Sequence, residues 1–192
     1  EFKFIQIHNS YIVLQNAEGF AIIDQHALHE RIIYQKLLTR IETGSLTSQR
    51  LLIPETLELS QAQIRALNEH GELIEKLGLE ISSFGPDTYA VESFPALLGN
   101  AGPAEFANEL LDMLADQPGD GGGNSGEAVL QDVLEMTACK AAIKAGQTLN
   151  NQEIAELLTE KENTQRSSNC PHGRPTTITF TLKELEKQFK RT

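Results

Sequence analysis

The stretch FAIIDQHALHERIIYQ, residues 20–35, changes its hydrophobic pattern at one position, Asp24. The residues before Asp24 form an apolar run, which is typical of a short buried β-strand. After it, Leu28 and Ile32 lie four residues apart, and this spacing predicts an α-helix. The chain therefore places a strand and a helix end to end, with two histidines and a glutamate directly after the junction.

Strand and helix patterns follow one another along the rest of the chain, which predicts an α+β fold. Strands are expected within residues 2–15, 20–24, 50–60, 78–84, 88–94 and 169–182. Helices are expected within residues 25–41, 60–77, 103–116, 127–145, 150–163 and 183–189.

The middle of the chain, from about residue 51 to residue 117, forms a compact strand–helix–strand–strand–helix block in this prediction. We therefore expect two subdomains, a discontinuous one from 1–50 and 118–192 and an inserted one from 51–117. The segment QPGDGGGNSGE, 117–127, holds five glycines and cannot bury apolar surface, which predicts a mobile loop or linker. The first strand has no initiator methionine before it, so an excised fragment of a longer protein is expected.

The net charge of −11 argues against strong DNA binding by this chain alone, because Lys and Arg supply most non-specific affinity for phosphates. No run of about 18 apolar residues and no secretory signal pattern is present, so no membrane association is expected. Two cysteines are too few for a disulfide framework, which favours ligand or core roles for them.

Three segments carry residues of the types that bind metals. Asp24 lies at the strand–helix corner, and His26 and Glu30 share one helix face at i and i+4 spacing. The alternative is an Asp N-cap followed by a solvated helix face. Cys170 and His172 lie in a proline- and glycine-rich turn and could bind Zn²⁺ together; the alternative is a buried cysteine beside a loop histidine.

Cys139 lies on an Ala-rich helix face, where the usual role is a packed small hydrophobe. Taken with the other two segments, it adds a further thiolate to a set of imidazole and carboxylate ligands. Mixed ligands of this kind suggest more than one ion, and a two-metal cluster suits phosphodiester hydrolysis.

The segment SQRLLIPETL, 48–57, is polar and then apolar, and Pro54 confines it to a sheet edge or a strand start. Such peptides dock into apolar grooves of partner proteins. The alternative is an ordinary edge strand.

Together these segments resemble the C-terminal domain of the MutL family of DNA mismatch repair proteins. DQHALHE, 24–30, is similar to the family's endonuclease motif; ACKAAIKAG, 138–146, CPHGRPT, 170–176, and FKR, 189–191, are similar to later motifs. QRLLIP, 49–54, resembles the family's sliding-clamp-binding peptide.

The resemblance implies a homodimer with a latent, metal-dependent endonuclease that nicks duplex DNA. It implies catalytic roles for Asp24 and Glu30, and regulatory or structural Zn²⁺ with Mn²⁺ or Mg²⁺ for nicking. The implied metal ligands are His26, Glu30, Cys139, Cys170 and His172, and the implied clamp-binding residues are Gln49, Leu51, Leu52 and Pro54.

The resemblance also implies partners and a location. These are the replication sliding clamp, DNA held weakly by this domain, a mismatch-recognition protein engaged through the full-length protein, and a cytoplasmic, nucleoid-associated location in a bacterium. The inserted subdomain would be regulatory. The competing function is a non-catalytic dimerisation and clamp-binding adaptor with a structural or regulatory zinc site.

One position departs from the family pattern, because Gln35 stands where the family motif has its last glutamate. The amide keeps the size and hydrogen-bonding reach of glutamate but loses its charge. Gln35 lies five residues after Glu30, about 140° round the helix, so the two side chains are not expected to share an ion. We therefore expect activity to survive this substitution.

Overall fold

A computed structural model describes residues 3–99, 101–116 and 126–191, which form two antiparallel sheets and seven α-helices. The strands are β1 Lys3–Ile7, β2 Tyr11–Asn16, β3 Gly19–Asp24, β4 Ser48–Glu58, β5 Glu80–Ser83, β6 Thr88–Pro95 and β7 Thr177–Thr181. The helices are α1 Gln25–Thr43, α2 Gln61–Glu69, α3 Gly71–Lys76, α4 Pro103–Ala115, α5 Gly126–Ala141, α6 Asn151–Asn163 and α7 Leu182–Gln188.

The mixed α and β composition is confirmed. The chain divides into two compact units, the first made of Glu1–Gln35 and Ala142–Thr192 and the second of Lys36–Ala141. The predicted subdomain boundaries at residues 51 and 117 stay predictions, as does the regulatory role of the inserted part. The glycine-rich segment predicted to be a linker falls almost wholly outside the described residues.

The first unit is built on the sheet β1-β2-β3-β7. One face of this sheet packs against the apolar sides of α1 and α6, which is why the strand before Asp24 and the helix after it are both buried on one side. The core residues are Ile12, Ala21, Ile23, Leu28, Ile32, Leu149, Ile154, Leu157 and Leu158, with Phe4, Leu14 and Ile143 at its border. The junction at Asp24 therefore lies at the edge of a packed core.

The opposite face of this sheet is also apolar, and we call it the outer face. Strand register places Ile5, Val13, Ile22 and Ile178 in one row across all four strands. Phe20 and Phe180 form a neighbouring row and stack with ring centroids 5.1 Å apart. Ile5 is 61% exposed and Ile178 54% exposed, so this face carries apolar surface that the described residues leave open to solvent.

A close backbone approach between two strands of this sheet requires a glycine. Gly19 pairs with Thr181, and a Cβ atom at position 19 would lie 2.0 Å from the carbonyl oxygen of Phe180. No side chain fits there without moving β7. Gly19 thus fixes how β7 joins the strand that leads into Asp24.

The second unit is built on the sheet β4-β6-β5; α4 packs against this sheet, and α2 packs against α4. Its core includes Leu110, Leu111 and an edge-to-face pair, Phe94 and Phe106, with ring centroids 5.6 Å apart. Among the described residues, no helix is long and apolar enough to cross a bilayer.

Two helices differ from the prediction. The helix expected over residues 60–77 is divided into α2 and α3 at His70, whose backbone is not helical, and Gly71 follows it with low helix propensity. The helix expected to reach residue 145 ends at Ala141. The segment that follows makes other hydrogen bonds, which belong to the candidate site.

Candidate metal centre

Three side chains of the first unit bring ligand atoms together. The carboxylate of Glu30, the thiol of Cys170 and the imidazole of His172 have ligand atoms within 4.8 Å of one another. Glu30 comes from α1, one turn after His26, whereas Cys170 and His172 come from the turn before β7. Sequence spacing predicted each pair separately, and the fold brings the two segments to one place.

The environment of Glu30 fits a cation. Its Oε1 atom is buried, lies 3.1 Å from Nδ1 of His172, and makes no hydrogen bond among the described residues. Burying a carboxylate oxygen without a hydrogen bond is unfavourable. A cation shared with the thiolate and the imidazole would offset that cost, and Zn²⁺ takes all three ligand types.

The cluster has a buried side and an open side. The side chain of Glu30 is 6% exposed and that of His172 is 47% exposed, and Cys170 is buried. An ion held here would therefore be reached from the His172 side. A site open on one side keeps a position for water or substrate, as catalytic zinc sites do.

A tight turn aims Cys170 and His172 at the same point. The backbone N–H of Gly173 donates to the carbonyl of Cys170 at 3.0 Å, and the N–H of Cys170 donates to the carbonyl of Arg174 at 2.8 Å. Pro171 fixes its own φ at the first corner of the turn. Gly173 has φ +80, a left-handed conformation that favours glycine.

His26 does not belong to the three-residue cluster, but it is oriented as metal-binding histidines commonly are. Its Nδ1 lies 2.7 Å from the carbonyl oxygen of Ile143. Because a carbonyl only accepts, Nδ1 carries the proton, and in the neutral ring Nε2 then presents its lone pair. His26 thus remains available as a ligand through Nε2.

His29 binds the other polar group of the same residue. The N–H of Ile143 donates to Nδ1 of His29 at 2.9 Å. The backbone of Ile143 is therefore committed to two side chains of α1 instead of continuing a helix. This explains why α5 ends before the residue that the sequence pattern predicted.

Asp24 acts as the N-cap of α1. Its Oδ1 atom accepts a hydrogen bond from the N–H of Ala27 at 3.0 Å, and its own N–H donates to the carbonyl of Thr176 at 2.9 Å. The N-cap part of the alternative is thus confirmed, but its solvated helix face is wrong, because Glu30 is buried. Capping uses one of the two carboxylate oxygens, and the catalytic role of Asp24 stays a prediction.

Gln25 was given no role by the sequence, yet its side chain is completely buried. Its amide nitrogen donates to the carbonyls of Asn9 at 2.6 Å and Gln147 at 2.9 Å, and its amide oxygen accepts from Gln6 at 2.8 Å. The signal available in the sequence was a polar residue at the border of an apolar core, flanked by Asp24 and His26. Gln25 holds the β1–β2 turn and the segment after α5 together.

Cys139 lies in the second unit, on the last turn of α5, and is exposed. Beside it, Lys140 donates a hydrogen bond to Glu109, which raises the pKa of the lysine above its usual range. The predicted role of Cys139 as a ligand stays a prediction, as does the effect of Gln35, a half-buried residue of α1.

The predicted partner-binding peptide lies in β4, also in the second unit. Arg50 pairs with Ser93 and Glu55 with Val91, so Leu51, Leu52, Ile53 and Pro54 bulge out opposite Glu92 alone. Leu52 is 98% exposed and Ile53 is 78% exposed. The edge-strand alternative accounts for the strand but not for two aliphatic side chains in solvent. Ile53 is not among the predicted clamp-binding residues, although it is one of these two.

The family model described as the MutL C-terminal dimerisation domain matches residues 4–149. Curated relatives named DNA mismatch repair protein MutL are similar across 97% of this chain. The identity is 41% over 187 residues for Pseudomonas putida strain GB-1, 40% over 191 for Rhodopseudomonas palustris strain BisA53, and 38% over 191 for Caulobacter vibrioides strain NA1000 / CB15N. The chain spans 29% to 30% of the length of these three relatives.

Proposed function

The chain belongs to the family of MutL C-terminal dimerisation domains of DNA mismatch repair proteins, and from this premise we propose that it is a homodimeric, metal-dependent DNA-nicking domain. The observation that supports the nicking proposal is the buried oxygen of Glu30, which makes no hydrogen bond among the described residues and lies beside Cys170 and His172. The outer face of the first sheet carries the dimer proposal.

The outer face has the properties of an interface between identical copies. It joins apolar rows from four strands, and its members are exposed or half-exposed. Soluble monomers rarely leave a contiguous apolar patch of this kind open to water. A second copy is the occupant we propose, because the matching family model is described as a dimerisation domain and two-fold dimers use one self-complementary patch.

The metal would be held by Glu30, Cys170 and His172, with Nε2 of His26 as a further ligand. When bound, a divalent ion polarises a phosphodiester and makes water more acidic. Glu30 supplies negative charge from the buried side, and the exposed position of His172 leaves room for the DNA backbone. We assign Zn²⁺ a regulatory or structural role and Mn²⁺ or Mg²⁺ the support of nicking.

The experiment that tests this function is relaxation of supercoiled plasmid by the natural gene product that contains this chain, with Mn²⁺, Mg²⁺ and Zn²⁺ varied. We expect nicking that depends on Mn²⁺ or Mg²⁺ and ceases with a chelator, while the dimer persists in sedimentation. A product that binds zinc, dimerises and never nicks would contradict the proposal.

The second candidate is a non-catalytic dimerisation and clamp-binding adaptor with structural zinc. It is favoured by the capping role of Asp24, which commits one oxygen of that carboxylate to the helix. Structural zinc contributes to folding, so chelation would then unfold the first unit. Under the nicking proposal, chelation leaves circular dichroism and the dimer unchanged and removes only nicking.

The net charge of −11 would keep nicking by this domain slow in the absence of a partner, because an acidic domain binds DNA poorly on its own. We propose that the β4 bulge binds a ring-shaped replication clamp on DNA. Tethering would raise the local concentration of the site at the duplex.

Replacing Leu52 and Ile53 together with alanine is expected to weaken clamp binding roughly 10- to 100-fold, because the bulge presents these aliphatic side chains as anchors. Surface plasmon resonance with the immobilised clamp gives the affinity. Phe84→Ala is the control, since Phe84 is 76% exposed in the same unit but lies outside β4. Equal affinities for parent and double variant would rule out the bulge as the clamp-binding element.

A further inference from the structure

Arg31 connects α1 to the turn that carries two of the candidate metal ligands. Its Nε–H donates to the carbonyl of Asn169 at 2.7 Å, and its Nη2–H donates to the carbonyl of Cys170 at 2.8 Å. Arg31 directly follows Glu30 on the helix. One residue therefore joins the segment that presents Glu30 to the segment that presents Cys170 and His172.

The carbonyl of Cys170 has two roles in this arrangement. It accepts the N–H of Gly173, which closes the turn, and it accepts Nη2–H of Arg31, which holds the closed turn against α1. The guanidinium itself is held by Tyr34, whose ring centroid lies 5.4 Å from the guanidinium carbon. Hydrogen bonds from a charged donor are about twice as strong as neutral ones.

We infer that Arg31 is a positioning residue for metal binding: its guanidinium fixes the Cys170–His172 turn at the distance from Glu30 at which one ion can bind all three. The planar fork of a guanidinium spans two successive carbonyls, which the single ammonium of a lysine cannot do. This inference rests on the proposed function, since it takes the cluster to be a zinc site.

The positive charge of Arg31 and its positioning role predict opposite changes in zinc affinity when the residue is replaced. A guanidinium beside a cation-binding site repels the ion, so a purely electrostatic effect of removing it would be tighter zinc binding. Positioning predicts the opposite, because a turn freed from α1 must be ordered again each time the ion binds. The direction of the change in zinc affinity therefore separates the two effects.

The test measures zinc affinity of the 192-residue chain by competition with a chromophoric chelator, for the parent, Arg31→Gln and Arg31→Lys. We expect Arg31→Gln to bind zinc about 10- to 100-fold more weakly than the parent, as is usual for groups that orient metal ligands. Arg31→Lys is expected to bind at least about 5-fold more weakly, because it keeps the charge and loses the fork. In the Co²⁺-substituted chain, the thiolate-to-cobalt band should weaken in both variants.

Arg40→Gln is the matched control, because Arg40 is an exposed arginine on the same helix. It should leave zinc affinity and the cobalt spectrum unchanged. If Arg31→Gln fails to fold, the zinc affinity of Arg31→Lys is compared with that of the parent instead. Zinc binding by either variant that equals or exceeds that of the parent overturns the inference while leaving the zinc site intact. A parent chain that binds no zinc overturns the zinc assignment and the inference together.

Discussion

The Glu30→Gln variant is expected to nick supercoiled plasmid at least about 100-fold more slowly than the parent, which is the range for loss of a group in direct contact with the chemistry. Glutamine keeps the size of the side chain, so helix α1 and its packing should remain. The change removes the negative charge that the buried oxygen brings to the cluster. Initial nicking rates under Mn²⁺ give the ratio, and zinc content by mass spectrometry should fall in parallel.

Two further variants show whether a loss of nicking is specific to the Glu30 carboxylate and whether Asp24 shares its role. Glu42→Gln removes the same charge from an exposed position on the same helix and should nick at the parental rate. Asp24→Asn tests the predicted catalytic role of Asp24 without loss of the N-cap, because asparagine caps helices as well as aspartate does. Parental nicking by Glu30→Gln would remove it from the site, and parental nicking by a stable Asp24→Asn would leave Asp24 with a capping role alone.

The Ile178→Lys variant is expected to raise the dimer dissociation constant by roughly 30- to 1,000-fold, the effect of losing an interface hot spot of about 2–4 kcal/mol. Ile178 lies on the outer face, where two-fold symmetry would bring two lysines into one apolar interface. Sedimentation equilibrium over a range of concentrations gives the constant.

The control for this variant is the next residue on the same strand. Thr179 is exposed, and alternation along a strand points its side chain to the opposite face. Thr179→Lys should therefore dimerise like the parent and match it in thermal stability. A dimer that tolerates Ile178→Lys equally well would exclude the outer face as the interface.

The site could be predicted from the sequence only as far as each segment carries its own signal. The i and i+4 spacing of His26 and Glu30 and the proline- and glycine-rich turn around Cys170 are local patterns, so both segments were identifiable. Arg31 bonds to the main-chain carbonyls of Asn169 and Cys170. Every residue type offers such a carbonyl, so no sequence pattern could predict these hydrogen bonds. Gln25 was missed for the same reason, because two of its partners are carbonyls.

The limits for the fold have a similar cause. Turn residues and hydrophobic periodicity located the strands and helices, because these elements depend on local preferences. The early end of α5 depends on histidines more than 110 positions away in the chain. The local helix preference of residues 127–145 holds no information about such distant partners. The outer face was visible only as apolar residues at both alternating positions of β1 to β3, which by itself also fits a strand buried on both sides.

The two hydrogen bonds that join His26 and His29 to the backbone of Ile143 have a consequence for how this protein can change over evolutionary time. Both bonds end on the main chain of residue 143, so they do not depend on which side chain that residue carries, apart from its packing at the border of the core. A proline at position 143 would remove the bond to His29, because it has no N–H to donate, and would leave the carbonyl that His26 contacts. Selection that preserves this contact therefore acts on the two histidines. Pairwise covariation between aligned positions would not reveal the contact.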